Sequence, residues 1–171
     1  MKRQLLLLRH GKSDWSRPVD DLHRPLKKRG RKAAARMGRW LRRERREPEL
    51  IISSPAIRAL ETARIVAGVL GRAEDEIVCV PGIYEAHWRD LLTIARALPQ
   101  ERKRIMLVGH NTSMEELVLF LAAGRVAPAA NGKLMPTAAL ALFFFSGSWK
   151  GLKPGRIREA RVIRPRELAG N

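Results

Sequence analysis

The order of elements along the chain predicts an α/β protein with one mainly parallel sheet flanked by helices. Three observations carry that prediction. Short apolar runs alternate with longer stretches of helical period from Leu5 to Ile163. Two of the runs, Leu5-Leu6-Leu7-Leu8 and Ile105-Met106-Leu107-Val108, are continuously apolar, as strands covered on both faces are. Each leads into a glycine–histidine pair, Arg9-His10-Gly11 and Gly109-His110, at the carboxyl end of a strand, where open α/β sheets bind ligands.

The first strand stops at Gly11, where the chain needs freedom to turn. Residues 12 to 29 have the prolines and aspartates of a loop. From Gly30, Ala33, Met37, Trp40 and Leu41 recur at helical spacing, with Lys32, Arg36, Arg39, Arg43 and Arg46 forming a basic stripe beside them. Pro48 closes that helix. Leu50 to Ser53 is a second strand, and Ser54-Pro55 reads as N-cap and first position of a helix that stops near Gly71. A third strand is predicted over Ile77 to Val80. A loop then runs to His87, and a helix carrying Leu91, Ile94, Ala95 and Leu98 ends at Pro99. After the fourth strand, Ser113 and Glu116 have capping-box spacing for a helix that ends at Gly124. Ala138 to Phe145 and Ile157 to Ile163 are the last strands. No repeat or linker divides the 171 residues, so one domain over 1–171 is expected.

The composition limits the classes open to such a domain. Its 45% hydrophobic content is that of a globular chain, and no apolar run approaches a membrane span. The single Cys79 allows no internal disulfide, and the charged start is no secretory signal, so a soluble cytoplasmic protein is expected. Four scattered His and one Cys give no zinc spacing, so neither a metal nor a cofactor is expected. The net charge is +17, and residues 1–47 alone hold 17 Lys/Arg against 5 Asp/Glu. Such a field favours anionic partners (phosphorylated substrates, acidic proteins, nucleic acid) unless it is only a solvated surface.

Three strand ends carry related chemistry. The first presents Arg9 and His10; the second leads to Arg58 in the first turn of a helix; the fourth presents His110 and Asn111 before another helix start. Guanidinium groups clamp phosphate oxygens, helix starts attract anions, and an imidazole can attack phosphorus. If these strands are neighbours, two His and two Arg converge on a site of phosphate size.

The segments Leu8-Arg9-His10-Gly11, Ser53-Ser54-Pro55-Ala56-Ile57-Arg58-Ala59-Leu60-Glu61-Thr62-Ala63 and Val108-Gly109-His110-Asn111 resemble the signatures of the histidine phosphatase superfamily. The short chain, with Asp21-Leu22-His23-Arg24-Pro25-Leu26 and Tyr84-Glu85-Ala86, is most similar to its SixA-type phosphohistidine phosphatases. The resemblance implies a phosphoglycerate mutase-like three-layer sandwich with helices on both faces. It implies His10 as the nucleophile that becomes phosphorylated, Arg9, Arg58 and His110 as phosphoryl-binding groups, and Asn111 at the pocket edge. Two positions depart from the family pattern. Ser16 stands where mutase-like relatives have Asn, and Lys27 where a capping Thr is common.

Glu85 is open between a general acid and a loop carboxylate paired with an arginine. His23 and His87 read as surface or supporting groups, and Trp15, Trp40, Trp88 and Trp149 as packing. The expected function is a phosphatase acting on a phosphorylated protein histidine or a small phosphorylated compound. The rivals are a mutase of the same superfamily and a basic nucleic-acid-binding module. The basic stripe has only Trp40 near it, on the apolar side, so no specific nucleic acid is expected as partner, and no membrane.

Overall fold

In the computed structural model, which describes residues 1–168, the first strand is the middle of the molecule. It is β1 (Lys2–Arg9), followed by α1 (Lys28–Arg43), β2 (Leu50–Ser53), α2 (Ile57–Val69), β3 (Ile77–Cys79) and α3 (Trp88–Arg96). Then come β4 (Arg104–Gly109), α4 (Ser113–Ala122), β5 (Leu140–Ser146) and β6 (Ile157–Ile163). The six strands form one sheet in the order β3-β2-β4-β1-β5-β6. The first four strands are parallel to one another, while β5 runs antiparallel to β1 and β6 antiparallel to β5. The expected α/β sandwich with a mainly parallel sheet is therefore what the chain forms.

The alternation of side chains along β1 explains its four leucines. Leu6 and Leu8 pack with Met37, Trp40 and Leu41 of α1 and Ala59, Ala63 and Val66 of α2. Leu5 and Leu7 pack on the other face with Leu91 of α3 and Leu117, Val118 and Leu121 of α4. All four are wholly buried. On the first face α1 lies tightly on α2, because a Cβ on Gly38 would come within 2.9 Å of the Val69 side chain.

Several local expectations need correction. The first loop is shorter than read: α1 begins at Lys28, and Ser13 and Leu26 form an isolated bridge within the segment. Gly11 is required by proximity rather than by turning, since a Cβ there would lie 2.7 Å from the Gly30 carbonyl oxygen. Ser54-Pro55 does not start α2; Ala56 is the N-cap, and the Ser54 hydroxyl accepts from the Ala56 N–H at 3.2 Å. Ser113 is the first residue of α4 rather than its cap, and its hydroxyl donates to the His110 carbonyl at 3.3 Å. The third strand ends at Cys79, and the fifth starts at Leu140, because Ala138 has a left-handed φ of 62°. Trp40 and Trp149 are core residues, but Trp15 is 68% exposed, with the Arg24 guanidinium 3.4 Å above its ring.

Candidate active site

Strand register brings the two glycine–histidine turns together. Leu8 lies opposite Val108 and Arg9 opposite Gly109, and the His10 N–H donates to the Gly109 carbonyl at 3.0 Å. On the other side of β4, Ser53 lies opposite Val108, and the Ser54 N–H donates to the Val108 carbonyl at 3.0 Å. Three adjacent strands thus end at one level. The structure brings together His10, Arg9, Arg58, His110 and Asn111 there, and leaves Glu85 exposed outside the cluster.

His10 is 8% exposed, and its ring lies 5.3 Å from that of His110. Its Nδ1 is 2.7 Å from the Gly11 carbonyl oxygen. A carbonyl can only accept, so Nδ1 carries the proton and Nε2 the lone pair. Burial, above all, pushes the imidazole down to about 3. The bond to Gly11 opposes that, and the charges of His110, Arg58 and Arg9 reinforce it. The ring is neutral at physiological pH, with one nitrogen ready to attack.

His110 is lowered to about 4 by burial first, then by Arg58 and Arg9, against the opposing pull of Asp21. Its Nε2 lies 2.7 Å from the Ser54 hydroxyl. That hydroxyl already accepts from Ala56; when it donates to Nε2, the proton of His110 sits on Nδ1. Nδ1 is buried and has no protein partner, as is true of the Nε of Arg9. Buried donors without partners are rare in folded proteins, and here two occur in one cluster.

Each cation is held from behind. Arg9 donates from Nη1 to the Met135 carbonyl at 2.8 Å, and burial lowers its pKa against the opposing charge of Glu115. The Asn111 amide nitrogen donates to Glu115 at 3.2 Å and to Met135 at 3.1 Å, so Asn111 fastens the start of α4 to the loop before β5. Arg58, 7% exposed, pairs with Asp21 at 2.9 Å and also donates to its backbone carbonyl at 2.5 Å. The Thr62 hydroxyl accepts from the Gly11 N–H at 3.0 Å and donates to the Arg58 carbonyl at 2.7 Å, tying α2 to the first turn.

Asp21 is the residue that sequence reasoning passed over as a site group. Its carboxylate accepts from Arg58, from the Tyr84 hydroxyl at 2.8 Å and from Arg24 at 2.8 Å. Burial alone would raise its pKa, but the bonds from Tyr84 and Arg58, and the charge of Arg58, hold it at about 2. The signal was present in Asp21-Leu22-His23-Arg24-Pro25, yet its partner lies 37 residues away. Tyr84 and Ser54 were missed as well; the Tyr84 ring stands edge-on to His110 at 5.8 Å.

The other candidates have plainer places. Glu85 is exposed, has a left-handed φ of 56°, and forms no hydrogen bond or ion pair among the described residues. Ser16 bonds to Asp14 through its N–H and its hydroxyl, in an exposed turn. Lys27 is the N-cap of α1 without a side-chain capping bond. His23 pairs with Asp20 at the surface, and His87 caps α3 by accepting from the Arg89 N–H. No cluster of three or more His, Cys, Asp or Glu fit to hold a metal occurs among the described residues. No described helix is long and apolar enough to cross a membrane.

The family model of the histidine phosphatase superfamily, branch 1, matches residues 5–104, which include His10, Arg9 and Arg58. The chain belongs to the histidine phosphatase superfamily. As a member it is a phosphatase, a hydrolase of phosphoryl groups. An uncharacterized chloroplastic protein of Arabidopsis thaliana is 31% identical over 159 residues, covering 88% of this chain and 70% of that one. The fold is SixA-like. The Agrobacterium tumefaciens protein designated SixA superposes with a TM-score of 0.76 at 26% identity, covering 93% of this chain and 97% of its own. The protein histidine phosphatase SixA complexed with tungstate superposes at 0.77, with 22% identity and coverage of 96% and 99%.

Proposed function

We propose that this histidine phosphatase, as one domain spanning the chain, dephosphorylates phosphohistidine on a protein substrate through a phosphohistidine at its own His10. The observation that carries the reading is the Nδ1–Gly11 bond, which fixes the proton on Nδ1 of a ring that burial keeps neutral and so leaves the Nε2 lone pair free. Nε2 attacks phosphorus as the bond from phosphorus to the substrate imidazole breaks. Arg9, Arg58 and the His110 N–H stabilise the equatorial oxygens. The departing imidazole takes its proton from solvent. Water then attacks the phosphoryl group on His10, inorganic phosphate leaves, and the Nε2 lone pair is restored.

What the pocket does not hold in acid form supports this substrate class. An alkyl phosphate needs a protonated group to assist its alkoxide leaving. Asp21, the carboxylate nearest the pocket cations, is kept ionised by Tyr84, Arg58 and Arg24. Glu85 stands exposed outside the cluster. A phosphohistidine has a far better leaving group and does not require that acid. The test is labelling with a phosphodonor. Wild-type protein is expected to acquire an acid-labile, base-stable label at His10, and His10→Ala to lose both label and turnover. Turnover persisting in His10→Ala would refute the covalent mechanism.

A further inference from the structure

Beside the His10 pocket runs a cavity of about 710 Å³, bounded by the start of α1, the loop before β5 and the turn after β6. Arg9 and Asn111 line it, so the cavity shares two residues with the candidate active site. Its walls carry Lys12, Arg29, Lys32, Arg36, Lys133 and Arg166. None of the six has a carboxylate partner among the described residues. Only two carboxylates line the cavity, and both are engaged: Glu115 by Asn111 and the Met135 N–H, Glu167 by Arg164. Fixed charges of one sign on facing walls raise the local concentration of anions and speed their arrival.

We propose that this groove receives an acidic segment of the phosphoprotein whose phosphohistidine enters the pocket. The inference rests on the phosphohistidine reading above and adds the partner's chemistry to it. Arg29, Lys32 and Arg36 occupy successive turns of α1, a row of about 10 Å at the helical rise. A single phosphate would leave most of that row unpaired, whereas a peptide with several Asp or Glu side chains meets it along its length. The cavity is also too large for one phosphoryl group and falls in the range that holds a ligand of several residues' size. Single-stranded nucleic acid is bound on aromatic platforms beside basic grooves, and no Trp, Tyr or Phe lines this one. The basic stripe noticed in the sequence is thereby divided. Lys32 and Arg36 face the groove, while Arg46 lies over the Phe144 ring at 4.7 Å.

The test compares two phosphohistidine peptides, one flanked by Glu and Asp and one by Gln and Asn, on the wild type and on Arg29→Glu/Lys32→Glu/Lys133→Glu. All three side chains are exposed, and Glu near the start of α1 suits the helix dipole, so the variant is expected to fold. Wild-type kcat/KM is expected to favour the acidic peptide by about tenfold or more, with the advantage shrinking as salt rises. The triple variant should lose that preference while turning over the neutral peptide within about threefold of wild type. Anisotropy of a labelled, unphosphorylated Glu-rich peptide gives a readout independent of turnover, and its binding should weaken by a similar factor in the variant. Arg29→Lys/Lys133→Arg should retain both properties. Equal turnover of the two peptides by wild type, or equal losses on both in the variant, would overturn the proposal. So would tighter binding of an oligonucleotide of matched charge. If neither peptide is turned over yet the Glu-rich peptide binds in the groove, the phosphohistidine reading fails and the groove assignment stands; absence of binding overturns the groove alone.

Discussion

Acid should destabilise this protein as pH falls below about 6.5, and His10 should be a principal cause. In the unfolded chain His10 protonates near 6.5, whereas in the fold burial and neighbouring cations hold it at about 3. Between those values the unfolded state binds a proton that the native state refuses, so stability is present above 6.5 and is lost as pH falls. At pH 4.5 the unfolded imidazole is two pH units below its midpoint while the native ring is still neutral. At 1.36 kcal/mol per pH unit the loss relative to pH 7 is about 2.5 kcal/mol for His10. His110, at about 4 in the fold, adds a similar amount. Asp21, held at about 2 against an ordinary 3.8, loses its stabilising contribution mainly at lower pH. The assay is urea unfolding at pH 7 and pH 4.5, read by two probes to check two-state behaviour. His10→Gln cannot titrate, so its loss between the two pH values should be smaller than that of wild type by about 2.5 kcal/mol, or roughly 1 M in urea midpoint for a slope of about 2 kcal/mol/M. A constant cost of the substitution cancels in this difference. An equal loss in wild type and variant would show that His10 titrates normally in the fold and would remove the basis for a neutral nucleophile.

Arg58→Ala and His110→Ala should each lower kcat/KM about a hundredfold or more, the scale for removing a transition-state donor; near-normal steady-state turnover would place that side chain outside the reaction. Glu85→Gln should change phosphohistidine turnover by less than about tenfold, while a general acid would cost about a hundredfold or more. Parallel assays on phosphohistidine and an alkyl phosphate decide the point, since a large equal loss on both would make Glu85 an acid throughout. Gly30→Ala, ordinarily favourable in a helix, should instead destabilise by about 2 kcal/mol or more, because its Cβ would lie 2.3 Å from the Lys12 carbonyl oxygen. Thermal or urea denaturation measures it, and a stabilised variant would mean that the first turn can move away from α1.

The residues proposed to bind the phosphoryl group and the strand–helix alternation were legible because each depends on neighbours in sequence. Four leucines followed by Arg9-His10-Gly11 specify a buried strand and what stands at its end, wherever that strand lies. The same holds for Ile105 to His110. What no local pattern contains is strand order: β4 lies between β1 and β2, and only that order sets His10, His110 and the start of α2 at one edge. The caps were misread for a related reason. Ser54 bridges the Ala56 N–H and His110, a partner 56 residues away, while the Ser113 hydroxyl turns back to the His110 carbonyl three residues earlier. Asp21 shows the same division most clearly. Its identity is in the sequence, but its role is set by Arg58, Tyr84 and Arg24 converging on one carboxylate, and the first two lie 37 and 63 residues away. The tautomer of His10 was likewise beyond the sequence, since it depends on where the Gly11 carbonyl points. Gly11 itself was predicted for its freedom to turn; the fold uses it because a backbone contact with Gly30 leaves no room for a side chain. Composition fixed how much positive charge the protein carries, and folding decided that eight of those cations line one groove beside the candidate active site.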